Sequence, residues 1–111
     1  MDDCLFCRIV AGKIPATVVY QDDDVIAIND VFPRAPFHVL VVPRKHVARL
    51  SELEDEPLGG QLLQTVRRVA RQGGVGDGFR LVVNNGDKAG QTVPHLHLHV
   101  LGGREFAWPP G

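Results

Sequence analysis

Between His95 and Val100 the chain alternates strictly between imidazole and aliphatic side chains: His95-Leu96-His97-Leu98-His99-Val100. Successive side chains of a β-strand point to opposite faces. The run therefore predicts a strand over His95 to Leu101. It puts three imidazoles on one face and Leu96, Leu98 and Val100 on the other, in the core. Three unrelated surface histidines would be an unusual coincidence at that spacing. Two chemistries fit. Imidazoles two apart on a strand can converge on a metal such as zinc. Alternatively one imidazole attacks phosphorus, a neighbour fixes its tautomer and another binds the phosphoryl oxygen. The loop before the strand, with Gly86, Gly90, Gln91 and Thr92, favours the second. Glycines let backbone N–H groups approach an anion, and a threonine hydroxyl can donate to it.

The rest of the pattern builds a sheet around that strand. Cys4 to Val10 reads as one or two helical turns, ended before Pro15. Thr17 to Gln21, Val25 to Asn29, His38 to Val42 and Phe79 to Asn84 are rich in β-branched residues and read as strands. Ser51-Glu52-Leu53-Glu54 resembles a capping box with Ser51 as N-cap, and Pro57 suits the first turn of a helix starting just before it. Leu58, Leu62, Val66, Val69 and Ala70 recur at helical spacing, with Arg67, Arg68 and Arg71 on the solvated face. The order helix, three strands, helix, two strands, with short connections, predicts an antiparallel sheet with helices packed on it, an α+β fold.

Composition narrows the partners. The chain has 111 residues, which favours one domain over residues 1–111. Its formal net charge is −1, from 12 basic and 13 acidic side chains. That argues against a nucleic-acid-coating surface. No apolar run is long enough to span a bilayer, and the acidic start suggests no targeting signal, so the expectation is a cytoplasmic protein with no membrane partner. In a reducing compartment the Cys4-x-x-Cys7 spacing reads as a metal half-site or a redox pair before a structural disulfide.

The strand His95-Leu96-His97-Leu98-His99-Val100-Leu101 resembles the signature of the histidine triad (HIT) superfamily. Cys4-Leu5-Phe6-Cys7, Ile14-Pro15-Ala16, Asn29-Asp30, Ala35-Pro36-Phe37-His38, Pro43-Arg44-Lys45-His46 and the ending Trp108-Pro109-Pro110-Gly111 are similar to the Hint branch, the histidine triad nucleotide-binding proteins. The resemblance implies a HIT-like fold: a five-stranded antiparallel sheet with one long and one short helix, joined across a homodimer into one continuous sheet. It implies hydrolysis of purine nucleoside phosphoramidates, AMP or GMP linked to an amine, through a nucleotidyl-histidine intermediate. By that analogy His97 is the nucleophile, His99 contacts the phosphate and aids the leaving group, and His38 supports the triad. Asp30 would hold the ribose hydroxyls. Asn84, Gly90, Gln91 and Thr92 would bind phosphate oxygens, and Phe6, Ile9, Val31 and Ile28 would line the base pocket. Thr92 stands where some Hint members have serine, and Pro94 replaces a frequent aromatic residue, which bears on substrate preference.

The resemblance also implies a structural zinc held by Cys4, Cys7, His46 and His95, two thiolates and two imidazoles suited to a tetrahedral ion. No organic cofactor is expected. Three other functions compete: a dinucleoside polyphosphate hydrolase or phosphorylase of a sister branch, a zinc hydrolase with all three triad histidines as ligands, and a nucleotide-binding scaffold with incidental turnover.

Overall fold

The structure is a computed structural model that describes residues 3–111. A short helix, α1 (Leu5–Val10), precedes three strands, β1 (Val18–Gln21), β2 (Val25–Asn29) and β3 (Phe37–Pro43). A long helix, α2 (Glu56–Gln72), leads into β4 (Phe79–Val82) and β5 (Leu98–Gly102). Single 3-10 turns at Leu50–Glu52 and Asp87–Ala89 interrupt the loops. The five strands form one sheet in the order β1-β2-β3-β5-β4. Every neighbouring pair is antiparallel. The order of elements and the sheet type agree with the sequence reading.

The pleat of β2, β3 and β5 separates two apolar layers. Val25, Ala27, Val39, Val41, Leu98 and Val100 face α2 and pack with its Leu58, Leu62, Val66, Val69 and Ala70. Burying an aliphatic side chain of this size contributes about 1.5–3 kcal/mol, which is what holds α2 on the sheet. The alternate residues Ile26, Ile28, Leu40 and Val42 form the second layer, closed by Cys4 and Phe6 from the N-terminal segment. His99 pairs with Leu40, so its side chain lies on this second face. The functional side chains therefore collect on the face opposite α2.

Three local expectations are corrected. The helix N-cap is Asp55, not Ser51: the Asp55 carboxylate accepts a hydrogen bond from the Leu58 amide at 3.0 Å, while Ser51 sits inside the preceding 3-10 turn. Pro57 is in the first turn, where its missing N–H is harmless. Strand β4 stops at Val82 rather than Asn84. Strand β5 starts at Leu98, so His95 and His97 lie outside the ladder. Leu96 nevertheless packs in the same layer as Leu98 and Val100, so the alternation persists without the strand bonds. The Leu96 amide donates to the Val47 carbonyl at 2.7 Å, and the His95 amide to that of Val93 at 2.8 Å. No helix among the described residues is long and apolar enough to cross a membrane.

Candidate functional site

Two histidine clusters meet on the second face of the sheet, and backbone groups set the protons in each. The first cluster joins Cys4, Cys7, His46 and His95, whose donor atoms all lie within 4.8 Å of one another. His95 Nδ1 is 3.3 Å from Cys4 Sγ, 3.5 Å from Cys7 Sγ and 3.2 Å from His46 Nδ1. Cys7 Sγ is 3.3 Å from His46 Nδ1. Donors of a tetrahedral centre with bonds of about 2.0–2.3 Å sit about 3.3–3.8 Å apart, so the spacing fits a metal ion. The protonation fits as well. His95 Nε2 lies 2.9 Å from the Pro43 carbonyl and must carry the proton it donates there, which leaves Nδ1 as a bare lone pair. His95 is fully buried, and burial, then nearby His46 and His97, keep it neutral by lowering its pKa, against the Pro43 bond. Burial and the adjacent Cys4 sulfur hold the Cys7 thiol above its usual range. A cation between them would offset the cost of forming thiolates. The cluster can therefore bind a metal ion.

The second cluster is Asp30, His38 and His99. The Arg34 amide donates to His38 Nδ1 at 3.0 Å. A neutral imidazole has one N–H, so in His38 it is on Nε2. That atom lies 3.0 Å from His99 Nδ1 and 3.4 Å from Asp30 Oδ2. His38 thus donates to His99 with the Asp30 carboxylate close by, and His99, accepting at Nδ1, keeps its own proton on Nε2. Burial pushes His99 down to about 4, helped by the neighbouring His97 and His38 and opposed by Asp30. Burial also lowers His38, again against Asp30. Both rings stay neutral at pH 7. These three side chains are also close enough to hold a cation. A metal on His38 Nε2 would leave that ring with no N–H, because Arg34 already occupies Nδ1. The arrangement is a hydrogen-bonded relay.

His97 sits between the clusters, buried. Its Nδ1 lies 2.7 Å from the His95 carbonyl, so Nδ1 carries the proton and Nε2 presents an unshared pair. Its ring is 5.1 Å from that of His99 and 5.0 Å from that of Phe6, centroid to centroid. A bare imidazole nitrogen beside a neutral N–H donor can attack an electrophile while the neighbour binds the charge that develops.

The remaining expected residues are distributed unevenly. The Asp30 carboxylate bonds the Phe32 amide through Oδ1 at 2.8 Å and faces His38 through Oδ2. Phe6 and Ile28 are buried in the second apolar layer, and Ile9 packs against it. Val31 stands 81% exposed on the loop after Asp30. The Asn84 amide donates to the Ala89 carbonyl at 2.7 Å. Gln91 accepts from the Gly86 amide and donates to the Ala48 and Val93 carbonyls, which ties the loop to the segment bearing the histidines. Thr92 is exposed. Gly86 and Gly90 have φ of 86° and 83°, a left-handed conformation that other residues adopt only with strain. The sequence reading missed the Arg34 amide and the Pro43 and His95 carbonyls. Backbone groups leave no residue-type signal. Only the short separation from Arg34 to His38 hinted at one of them.

These features define a class: a small α+β fold that presents histidines from the inner strands of an antiparallel sheet. The HIT domain family model matches residues 11–106, and the chain belongs to that family. A HIT-like protein of Synechocystis sp. is 53% identical over 112 residues, covering 99% of this chain and 98% of that protein. The fold is similar to that of a HIT family hydrolase from Legionella pneumophila, with a TM-score of 0.95 and 44% identity over 98% of this chain and 100% of that one. It is also similar to a histidine triad nucleotide-binding protein from Candida albicans, with a TM-score of 0.85 and 27% identity over 98% of this chain and 85% of that one.

Proposed function

We propose that this chain is a hydrolase of purine nucleoside phosphoramidates, of the Hint branch, acting through a covalent nucleotidyl-histidine. The observation that carries the reading is the 2.7 Å contact of His97 Nδ1 with the His95 carbonyl, which leaves Nε2 as the nucleophile. In the first step the Nε2–phosphorus bond forms and the phosphorus–nitrogen bond breaks as the leaving nitrogen takes a proton from solvent, a proton that the attacking water of the second step returns to solvent. In the second, water attacks phosphorus, the Nε2–phosphorus bond breaks and nucleoside monophosphate is released. His99 donates Nε2–H to the phosphoryl oxygen, and His38 and Asp30 hold His99 in that tautomer. Thr92 and the second amide hydrogen of Asn84 supply further donors near the phosphate, and the Gly90–Gln91 turn, its own amides engaged with Asp87 and Gly86, shapes the loop that carries Thr92. Asp30 binds the ribose, and Phe6, Ile9, Ile28 and Val31 contribute the apolar side of the base site. The nucleotide-binding name of the Candida relative supports this substrate class.

Cys4, Cys7, His46 and His95 would hold a structural zinc. With all four positions filled by protein, such an ion supplies a cross-link and no open site for water. We read residues 1–111 as one cytoplasmic HIT domain that works as a homodimer. Joining two sheets needs an edge strand. Strand β1 is bulged between Val18 and Tyr20, and bulges blunt an edge, so β4 is the edge suited to pairing.

Substituting His97→Ala and assaying an adenosine phosphoramidate with a fluorescent amine tests the reading. Turnover should fall by about a thousandfold or more, with AMP affinity retained. Turnover like that of the unaltered protein would contradict it.

A further inference from the structure

Val31 and Phe32 are 81% and 77% exposed, and among the described residues only Trp108, at 84%, equals them as an exposed large apolar side chain. Their position is not that of a loose surface loop. The segment is fastened to His38 at both ends: Asp30 N–H donates to the His38 carbonyl at 3.0 Å, Asp30 Oδ2 faces His38 Nε2, and the Arg34 amide bonds His38 Nδ1. The Phe32 amide is itself held by Asp30 Oδ1 at 2.8 Å. The residues between form a short bow whose two feet stand on the relay that orients His99. The Phe32 side chain is uncovered by the protein, and its backbone amide is held by the same Asp30 carboxylate whose other oxygen faces the His38–His99 pair.

From this placement we infer that Phe32 is a specificity-determining residue that stacks on the aromatic base of the nucleotide. The inference rests on the functional reading above and adds the residue that selects a base-bearing substrate over a bare sugar phosphate. Stacking is tolerant of base identity, because every base has a π-face. Phe32 therefore favours adenine and guanine conjugates alike.

Phe32→Ala and Phe32→Tyr test it against two ligands that differ only in the base, AMP and ribose 5-phosphate. Affinity is read by titration calorimetry for AMP and by competition for ribose 5-phosphate. Phe32→Ala should weaken AMP about tenfold, within the range for base–aromatic stacking. It should leave ribose 5-phosphate unchanged, and Phe32→Tyr should restore AMP binding. Equal losses for both ligands, or no loss for either, would overturn the inference. So would a change in oligomeric state on sedimentation, since Phe32 would then belong to a subunit interface. If the unaltered protein fails to bind AMP, the inference and the functional reading fall together. If it binds AMP but does not turn over a phosphoramidate, the proposed activity falls and the role of Phe32 stands.

Discussion

At the scale of residues, three backbone groups orient four imidazoles. The Arg34 amide sets His38 and through it His99, the Pro43 carbonyl sets His95, and the His95 carbonyl sets His97. Replacing His38 by Asn removes the donor to His99 Nδ1. It should lower kcat about tenfold to a hundredfold, the usual cost of losing an orienting partner, with a smaller effect on KM. Steady-state kinetics on the phosphoramidate would show that split. The same burial makes stability depend on pH. His99 falls from an ordinary value near 6.5 to about 4 on folding, so between those values the unfolded chain binds more protons than the folded one. The stabilisation is complete above about pH 6.5 and is lost as pH falls toward 4, and the lowered His38 acts in the same direction. Urea denaturation at pH 7 and pH 5 should give a lower midpoint at pH 5, and His99→Gln should flatten that difference. The sequence made the imidazoles visible because histidine at period two is rare. It could not show their protons, which depend on the Arg34 amide and the Pro43 and His95 carbonyls, groups that every residue type carries.

At the scale of elements, α2 and the arm ahead of β5 carry most of the consequence. The apolar stripe of α2 was readable from spacing alone, because 3.6-residue periodicity survives any error in the start of the helix. The cap was not. Ser51 and Asp55 both stand before helical sequence, and only the fold shows that the chain turns at Leu50–Glu52 before entering the helix. Asp55→Ala should cost about 1 kcal/mol as a lost N-cap. Leu62→Ala, at a side chain 2% exposed, should cost about 3 kcal/mol as a buried leucine truncation. Thermal or urea unfolding measures both. Equal effects would mean that Leu62 packs more loosely than its burial implies. The alternation of the histidine run predicted which side chains enter the core, but not that the ladder begins only at Leu98. The arm from Val93 to His97 instead takes its backbone bonds from Val47 and from its own turn, and that arrangement frees the His95 carbonyl for His97.

At the scale of the whole molecule, the two clusters share one residue. His95 offers Nδ1 to the cysteines and His46 and its carbonyl to His97. Residues as far apart as Cys4 and His95 thus close one centre across the sheet. A chelator that strips the proposed zinc should lower the thermal midpoint by several degrees, since a ligand that binds only the folded state stabilises it. Cys4→Ser together with Cys7→Ser should reproduce that loss and make it insensitive to chelator. Metal analysis of protein purified without chelator gives the stoichiometry, expected near one zinc per chain. The proposed chemistry turns on the covalent step at His97 Nε2. Rapid base-quench of the protein mixed with excess adenosine phosphoramidate, which preserves an acid-labile phosphorus–imidazole bond, followed by tandem mass spectrometry under non-acidic conditions, reads that step. One adenylyl group is expected, localised by fragmentation to the His97 ring among the three histidines of that peptide, formed and lost at rates compatible with turnover. Turnover with no adduct at any quench time, or an adduct on His95 or His99 instead, would contradict it.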